Sequence, residues 1–166
     1  GSILPLLKKQ IMERGEVTVT DPKMTRFVMT IPQAVALVLD AAVYGKGQEI
    51  FVLKMPSARL GDLVGAAISY YAPLIGKQPS QVKVKMIGRR DGEKMHEKLL
   101  ADYEIPVALE TETMYILTPY EKAFSEYTTT YHVSPVRARS TGFSSEFACK
   151  LSHTELFTLI KEADMV

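Results

Sequence analysis

The sequence predicts an α/β fold, a small mixed domain of short strands and helices. Apolar residues recur at helical spacing in several stretches, short β-branched runs lie between them, and turn residues separate the two kinds of segment. The chain has 166 residues, 46% of them hydrophobic. That length suits one globular domain, so we expect a single domain over residues 1–166.

The first predicted element is a helix over about residues 3–14, which Gly15 ends. The apolar residues at helical spacing in this stretch are Ile3, Leu6, Leu7 and Ile11. The alternating, β-branched run at residues 17–20 predicts a short strand. Asp21-Pro22 then turns the chain.

A second helix is predicted to begin at Thr30, with Gln33 completing a capping box and Pro32 in the first turn, where no N–H donor is needed. Gly45 and Gly47 are expected to close this helix. Its predicted inward stripe consists of Val35, Val38, Leu39 and Ala42.

A β-rich run at residues 49–53 is expected to form a buried strand. Ser57 is the predicted cap of a third helix, which Pro73 and Gly76 end. The inward face of that helix is predicted to consist of Leu60, Leu63, Val64, Ala67, Ile68 and Tyr71.

Residues 83–99 begin as a strand, because apolar residues alternate there with lysines. The strand breaks at Gly88, and the sequence RRDGE follows at residues 89–93. A short helical pattern is then expected, since Met95 and Leu99 lie four residues apart.

The loop at residues 87–93, which we call the arginine loop, carries groups suited to a nucleotide. The planar fork of arginine matches phosphate oxygens, and a carboxylate accepts hydrogen bonds from sugar hydroxyls. The loop is therefore predicted to hold a diphosphate and a ribose. The alternative is an ordinary solvated turn, in which Glu93 favours the positive end of a helix dipole.

Residues 103–145 are predicted to form an irregular excursion, with two short strands at 107–109 and 114–117. Its aromatic residues either stack on a base or pack the loop against the protein; they are Tyr120, Phe124, Tyr127 and Tyr131. Ser152 and Glu155 form a second capping box. It begins a last helix whose predicted inward residues are Leu156, Leu159 and Ile160.

Composition excludes several classes of function. The net charge of +1 gives no case for a nucleic-acid partner. No apolar run approaches the roughly 20 residues of a membrane span. Cys149 is the only cysteine, which fits a reducing compartment and a cytoplasmic location. We expect no metal site, because His96, His132 and His153 lack ligand spacing.

The sequence also lacks the motifs of familiar catalytic and cofactor sites. It has no Gly-x-Gly-x-x-Gly turn, no P-loop and no Gly-x-Ser-x-Gly motif. It also has no Ser/Tyr/Lys constellation with a Tyr-x-x-x-Lys spacing. We therefore predict no catalytic residue and no cofactor-binding residue in this chain.

Three blocks of sequence together resemble one family. They are VTDPKMTRF at 19–27, EIFVLKMPS at 49–57 and IGRRDGEKMHE at 87–97. Their order and spacing resemble the carboxyl-terminal part of UDP-N-acetylglucosamine 4,6-dehydratases and epimerases. These enzymes form the capsular polysaccharide biosynthesis branch of the extended short-chain dehydrogenases/reductases. The resemblance covers residues 2–100, fades over 103–145 and returns weakly near 143–145 and in the last helix.

The resemblance implies a substrate-binding half without its Rossmann half. The Rossmann half would carry NADP or NAD and the catalytic residues, so this chain alone would be inactive. By resemblance, Arg26 and Arg90 grip the diphosphate of a UDP-sugar and Glu93 meets the uridine ribose. The edge that receives the uracil would be the backbone of Thr18, Val19 and Thr20.

Several alternatives stay open at this level. Arg26 is otherwise a salt-bridge partner of a nearby carboxylate. Asp91 stands where the family frequently has proline, which leaves the shape of the loop less constrained. The rival function is a non-catalytic nucleotide-sugar-binding or interaction module. Gly1-Ser2 is either a tag remnant or native sequence.

The implied partners are the UDP-sugar, the missing Rossmann half and further copies in a homo-oligomer. The surface that meets the Rossmann half should expose apolar residues. The helix at Ile3–Ile11 is the predicted surface, because its apolar stripe has no assured partner in this chain.

Overall fold

The structure is a computed structural model that describes residues 3–45, 47–118 and 141–164, together with the backbone of Val136–Arg137. Its chain divides into two compact units. Unit 1 comprises Gly1–Phe27, Ser57–Glu97 and Lys150–Val166, and unit 2 comprises Val28–Pro56 and Lys98–Cys149. The single domain expected over residues 1–166 stays a prediction.

The described residues form a mixed set of helices and short strands, as the sequence predicts. The helices are α1 Ile3–Arg14, α2 Ile31–Tyr44, α3 Leu60–Tyr71 and α4 His153–Asp164. The strands are β1 Glu16–Val19, β2 Thr25–Phe27, β3 Ile50–Leu53, β4 Ser57–Arg59, β5 Lys83–Met86, β6 Ala108–Glu110, β7 Met114–Leu117 and β8 Val136–Arg137. None of the described helices combines the length and the apolar character needed to cross a membrane.

Unit 1 is built on two small strand pairs and three helices. Strand β1 pairs in parallel with β5, and β2 pairs antiparallel with β4. Helix α3 packs against α1 and α4. The core between these elements includes Leu7, Ile11, Val17, Leu63, Ala67, Leu156 and Ile160.

Helix α1 is part of the core of unit 1, so the expectation that its apolar stripe forms an exposed docking surface is wrong. Leu7 and Ile11 are 1% and 0% exposed, because α1 packs against α3 and β1 of the same unit. Leu6 does remain exposed beside them.

The start of helix α3 differs from the prediction. Ser57 does not cap it but lies fully buried in β4, and the helix begins at Leu60 without a side-chain cap. Backbone carbonyls take over the capping role. The N–H of Leu60 donates to the carbonyl of Met24, and the N–H of Gly61 donates to that of Pro22.

Helix α4 begins with the predicted capping box. The N–H and hydroxyl of Ser152 both donate to Glu155 Oε2, and the N–H of Glu155 donates to the Ser152 hydroxyl. These hydrogen bonds, that of the Ser152 hydroxyl first, lower the pKa of the Glu155 carboxyl. Leu156 and Ile160 are fully buried, as expected, whereas Leu159 is only partly buried.

A polar contact joins the far end of α4 to α1 and α3. Asp164 forms an ion pair with Lys8 and accepts a hydrogen bond from the Tyr71 hydroxyl at 3.3 Å. Burial, followed by the negative charge of Asp164, raises the pKa of Tyr71 to about 12. The three helices of unit 1 are therefore linked by one charged group as well as by packing.

Unit 2 contains an antiparallel sheet with the strand order β3-β7-β6-β8. Strands β6 and β7 confirm the two short strands predicted within residues 103–145. Strand β3 lies at the edge of the sheet, so the expectation of a buried strand is wrong, and Ile50 is 57% exposed. The four loop aromatics and His132 lie outside the described residues.

Helix α2 begins as predicted, but its apolar stripe is exposed. The N–H of Thr30 donates to Gln33 Oε1, and the N–H of Gln33 donates to Thr30 Oγ1. No residue of the helix is buried, although Leu37 is partly buried against the sheet. We call the exposed set the α2 face; it consists of Ile31, Val35, Val38, Leu39 and Val43.

Truncation of Ile11 tests the packing of α1. The substitution Ile11→Ala should lower the free energy of unfolding by roughly 2–5 kcal/mol, because it removes a fully buried side chain and leaves a cavity. The matched control is Met12→Ala, since Met12 is exposed on the same helix. Urea unfolding measures both, and equal losses would contradict the packing described for α1.

Candidate functional site

The candidate site lies in unit 1, where the parallel pair β1–β5 brings two predicted segments together. The register sets Thr18 opposite Lys85 and Val19 opposite Met86. One residue further, the N–H of Ile87 donates to the carbonyl of Val19 at 2.9 Å. The arginine loop therefore leaves its strand beside Thr20, so the predicted uracil edge and the predicted phosphate loop are neighbours.

Part of the predicted uracil edge is already engaged by the protein. The N–H of Thr18 donates to Gln10 Oε1 at 3.0 Å, and Gln10 Nε2 donates to the Thr18 hydroxyl at 2.9 Å. The carbonyl of Val19 accepts from Ile87, and the hydroxyl of Thr20 donates to the sulfur of Met24. A base bound along this edge would have to use other backbone groups of residues 18–20.

The arginine loop closes in a turn over Arg90, Asp91, Gly92 and Glu93. The N–H of Glu93 donates to the carbonyl of Arg90 at 3.1 Å, and the N–H of Arg90 donates to Glu93 Oε2 at 3.2 Å. Gly92, in the third position, has φ 79°, a conformation that favours glycine there. Arg90 itself is exposed.

No helix follows this turn. Residues 93–99 contain bends and an isolated bridge between Lys98 and Ser144, so the predicted helical pattern is wrong. The alternative role of Glu93 at the start of a helix is therefore also wrong. The carboxylate instead stabilises the turn by accepting from the backbone of Arg90.

Arg26 lies on β2, opposite Ala58 of β4, and its guanidinium has two kinds of contact. Nη1 donates to the carbonyl of Thr25 at 2.8 Å and, at 3.4 Å, to that of Met95. Nη2 lies 3.6 Å from Glu93 Oε1, and Nε lies 3.7 Å from Glu97 Oε1. The structure thus brings together Arg26 and Glu93, which are distant in sequence.

These ion pairs match the alternative that the sequence left open for Arg26. The two distances exceed the 2.7–2.9 Å typical of a charge-assisted hydrogen bond. The carboxylates therefore neutralise Arg26 without tight hydrogen bonds, and its Nε and Nη2 atoms keep their capacity to donate to another anion.

The residues 95–97, which we call the docked segment, lie along β2 and set this geometry. The N–H of Thr25 donates to the carbonyl of Met95 at 2.9 Å, and the Thr25 hydroxyl is 2.8 Å from His96 Nδ1. No role for Thr25, His96 or Glu97 is predicted from the sequence. The spacing of Glu93 and Glu97 is visible in the sequence, but their common partner Arg26 is not.

Substitution of Asp91 tests the turn. Asp91 is the second residue of the turn, a position that favours proline, and its φ is not positive. Asp91→Pro should raise the free energy of unfolding by about 0.4–1 kcal/mol, because it restricts the unfolded chain. Asp91→Ala is the control, since it removes the charge without fixing φ. A loss of stability in urea unfolding of Asp91→Pro would contradict this turn geometry.

Comparison with known proteins gives one family. A sequence profile described as polysaccharide biosynthesis protein matches residues 1–119. The chain is 51% identical over 120 residues to the "Uncharacterized membrane protein MJ1061" of Methanocaldococcus jannaschii, a match that covers 72% of this chain and 36% of that protein. It is 39% identical over 108 residues to a "UDP-glucose 4-epimerase" of Rickettsia bellii, a match that covers 65% of this chain and 30% of that protein.

One solved structure is similar to the whole chain. The "X-ray structure of Pen from Bacillus thuringiensis" matches with a TM-score of 0.81 and 34% sequence identity. The match covers 100% of this chain and 46% of that one. The chain therefore spans less than half the length of each of these three proteins.

Proposed function

The chain belongs to the polysaccharide biosynthesis protein family, and we propose that it is the UDP-sugar-binding part of a nucleotide-sugar 4,6-dehydratase or epimerase. The proposed ligand is similar to UDP-N-acetylglucosamine. The relative named "UDP-glucose 4-epimerase" supports the nucleotide-sugar class, and a relative named "Capsular polysaccharide biosynthesis protein CapD" supports a role in polysaccharide biosynthesis.

The observation that carries the proposal is the meeting of Arg26 on β2 with Glu93 of the arginine loop, at 3.6 Å. An arginine fork and a carboxylate side by side suit a ligand that joins a diphosphate to a sugar. In the proposed complex Arg26 donates to the diphosphate and Glu93 accepts from the ribose. Thr18, Val19 and Thr20 lie along the uracil.

The charges around Arg26 also explain why the site needs Arg90. Glu93 and Glu97 both lie near Arg26, so this cluster of three is not cationic by itself. A diphosphate would require a further positive charge. Arg90 supplies it from the exposed loop, with its backbone fixed by Glu93. Two forked side chains from separate segments would then hold the diphosphate.

The cofactor of the proposed enzyme, NADP or NAD, does not fit the residues of this chain. A dinucleotide site needs a glycine-rich turn between a strand and a helix, where backbone N–H groups approach the pyrophosphate. The sequence has no such turn. We therefore assign cofactor binding and the catalytic residues to another part of a longer protein.

The α2 face is the proposed docking surface for the cofactor-binding half. A helix that is apolar on most sides is normally buried, yet Val38 and Val43 are 67% and 76% exposed. Relatives are more than twice as long as this chain, so a large part of the longer protein is available to cover this helix.

Arg90 and Arg89 provide a matched pair of variants. In a protein that contains both halves, Arg90→Ala should weaken UDP-sugar binding by about 1.5–3 kcal/mol, the range for hydrogen bonds to charged groups. Arg89→Ala should cost less, because Arg89 lies outside the turn that Glu93 closes. Isothermal titration calorimetry measures both, and equal losses would refute the assignment of Arg90.

The chain alone should show neither turnover nor NADP binding, and it should bind UDP-sugar weakly. Because the α2 face is exposed, the chain should also self-associate into homo-oligomers. Light scattering after size-exclusion chromatography should show that Val38→Lys reduces the association more than Val84→Lys. Val84 is a comparable exposed apolar residue on β5. Micromolar NADP binding by a monomer would overturn the assignment of the cofactor to another part of the protein.

A further inference from the structure

Gln10 on helix α1 ties that helix to the strand that the proposed function assigns to the uracil. Gln10 Oε1 accepts from the N–H of Thr18 at 3.0 Å, and Gln10 Nε2 donates to the Thr18 hydroxyl at 2.9 Å. A backbone N–H group can only donate, so the oxygen of the amide must be the atom that faces it. Both ends of the Gln10 amide are therefore engaged by one residue of β1.

The N–H of Thr18 belongs to the edge of β1 that faces away from β5. The carbonyls of Gly15 and Val19 accept from N–H groups at the start of β5 and directly after it. A trans peptide directs a carbonyl and the following N–H in opposite directions, so the N–H of Thr20 points away from β5. Backbone groups alternate along a paired strand, so the carbonyls of Glu16 and Thr18 point the same way. We call these groups of residues 16–20 the outer edge.

The outer edge carries the same pair of groups twice. The carbonyl of Glu16 and the N–H of Thr18 form the first pair, and the carbonyl of Thr18 and the N–H of Thr20 form the second. The two pairs lie roughly 7 Å apart along the strand. Gln10 occupies the N–H of the first pair. Within the part of the chain that the structure describes, no protein group bonds to the second pair, which is therefore open to a ligand.

The uracil ring carries a matching pair, since its N3–H donates and the carbonyl oxygens on either side of it accept. If both pairs of the outer edge were open, the base would have two positions along β1. The second pair lies at the end of β1 that the arginine loop adjoins, because the N–H of Ile87 donates to the carbonyl of Val19. A base at the first pair would draw its diphosphate away from Arg90.

We infer that Gln10 is a positioning residue that sets where the base binds along β1. By occupying the N–H of Thr18 it closes the first pair, so that the base binds at the second pair and the diphosphate reaches the arginine loop. This inference rests on the proposed function, because it needs the backbone of residues 18–20 as the base site. It adds a residue that selects one of two similar positions without touching the ligand.

The experiment uses the 166-residue chain and NMR titrations, which detect weak binding. The probes are uridine, 3-methyluridine and UDP, followed at the backbone amide signals of Thr18, Thr20 and Arg90. In the unchanged chain uridine should shift the signal of Thr20 and leave that of Thr18 in place. The shift should be lost with 3-methyluridine, because this probe lacks the N3–H donor.

The substitution Gln10→Met keeps the length of the side chain but removes both hydrogen bonds to Thr18. Uridine should then shift the amide signals of both Thr18 and Thr20, because both pairs are open. With saturating UDP the shift of the Arg90 signal should fall by up to about two-fold, since nucleotides at the first pair leave the arginine loop empty.

Two further variants separate positioning from a merely structural tie between α1 and β1. Gln10→Glu keeps an acceptor for the N–H of Thr18, so the uridine shifts should match those of the unchanged chain. Uridine is uncharged, which keeps the added carboxylate from acting through phosphate repulsion. Lys9→Met changes an exposed neighbour on the same helix and should also leave the shifts unaltered.

The outcomes distinguish this inference from the proposed function. If UDP shifts Arg90 and Thr20 but uridine leaves Thr18 unshifted in Gln10→Met, positioning by Gln10 is refuted and the proposed function stands. A uridine shift of Thr18 that already equals that of Thr20 in the unchanged chain, or a new Thr18 shift in Gln10→Glu, refutes it as well. If UDP shifts neither Arg90 nor Thr20 in the unchanged chain, both proposals are overturned.

Discussion

The attachment of residues 95–97 to strand β2 controls the geometry of the candidate site. Thr25 holds this docked segment through a backbone hydrogen bond to Met95 and a side-chain contact with His96. Glu93 precedes the segment and Glu97 ends it, so both carboxylates reach the guanidinium of Arg26. A buried threonine, only 3% exposed, therefore decides the charge environment of an arginine on the same strand.

The fold class and most elements could be predicted from the sequence, because they depend on local patterns. The capping boxes at Thr30 and Ser152 use side chains three residues apart, and both are present. The start of α3 could not be found this way. Its first N–H groups bond to carbonyls of Pro22 and Met24, and that contact exists only once the chain is folded.

The candidate site was predictable only in part. The resemblance indicates Arg26 and Glu93 separately, but only the folded chain shows that they meet. The roles of Thr25 and Glu97 depend on tertiary contacts that no spacing in the sequence reveals. Burial was the least predictable property: the stripes of α1 and α2 look alike in sequence, yet Ile11 is fully buried and Val38 is 67% exposed.

The Nη1 hydrogen bonds of Arg26 have a consequence for the entropy of binding. A free arginine side chain samples many rotamers, and fixing it on a ligand costs conformational entropy. Here Nη1 is already directed to the carbonyls of Thr25 and Met95, so the side chain is restrained before any ligand arrives. Binding of an anion at the Nε and Nη2 atoms, in place of a carboxylate, would therefore cost less conformational entropy, because folding has already restrained the arginine side chain.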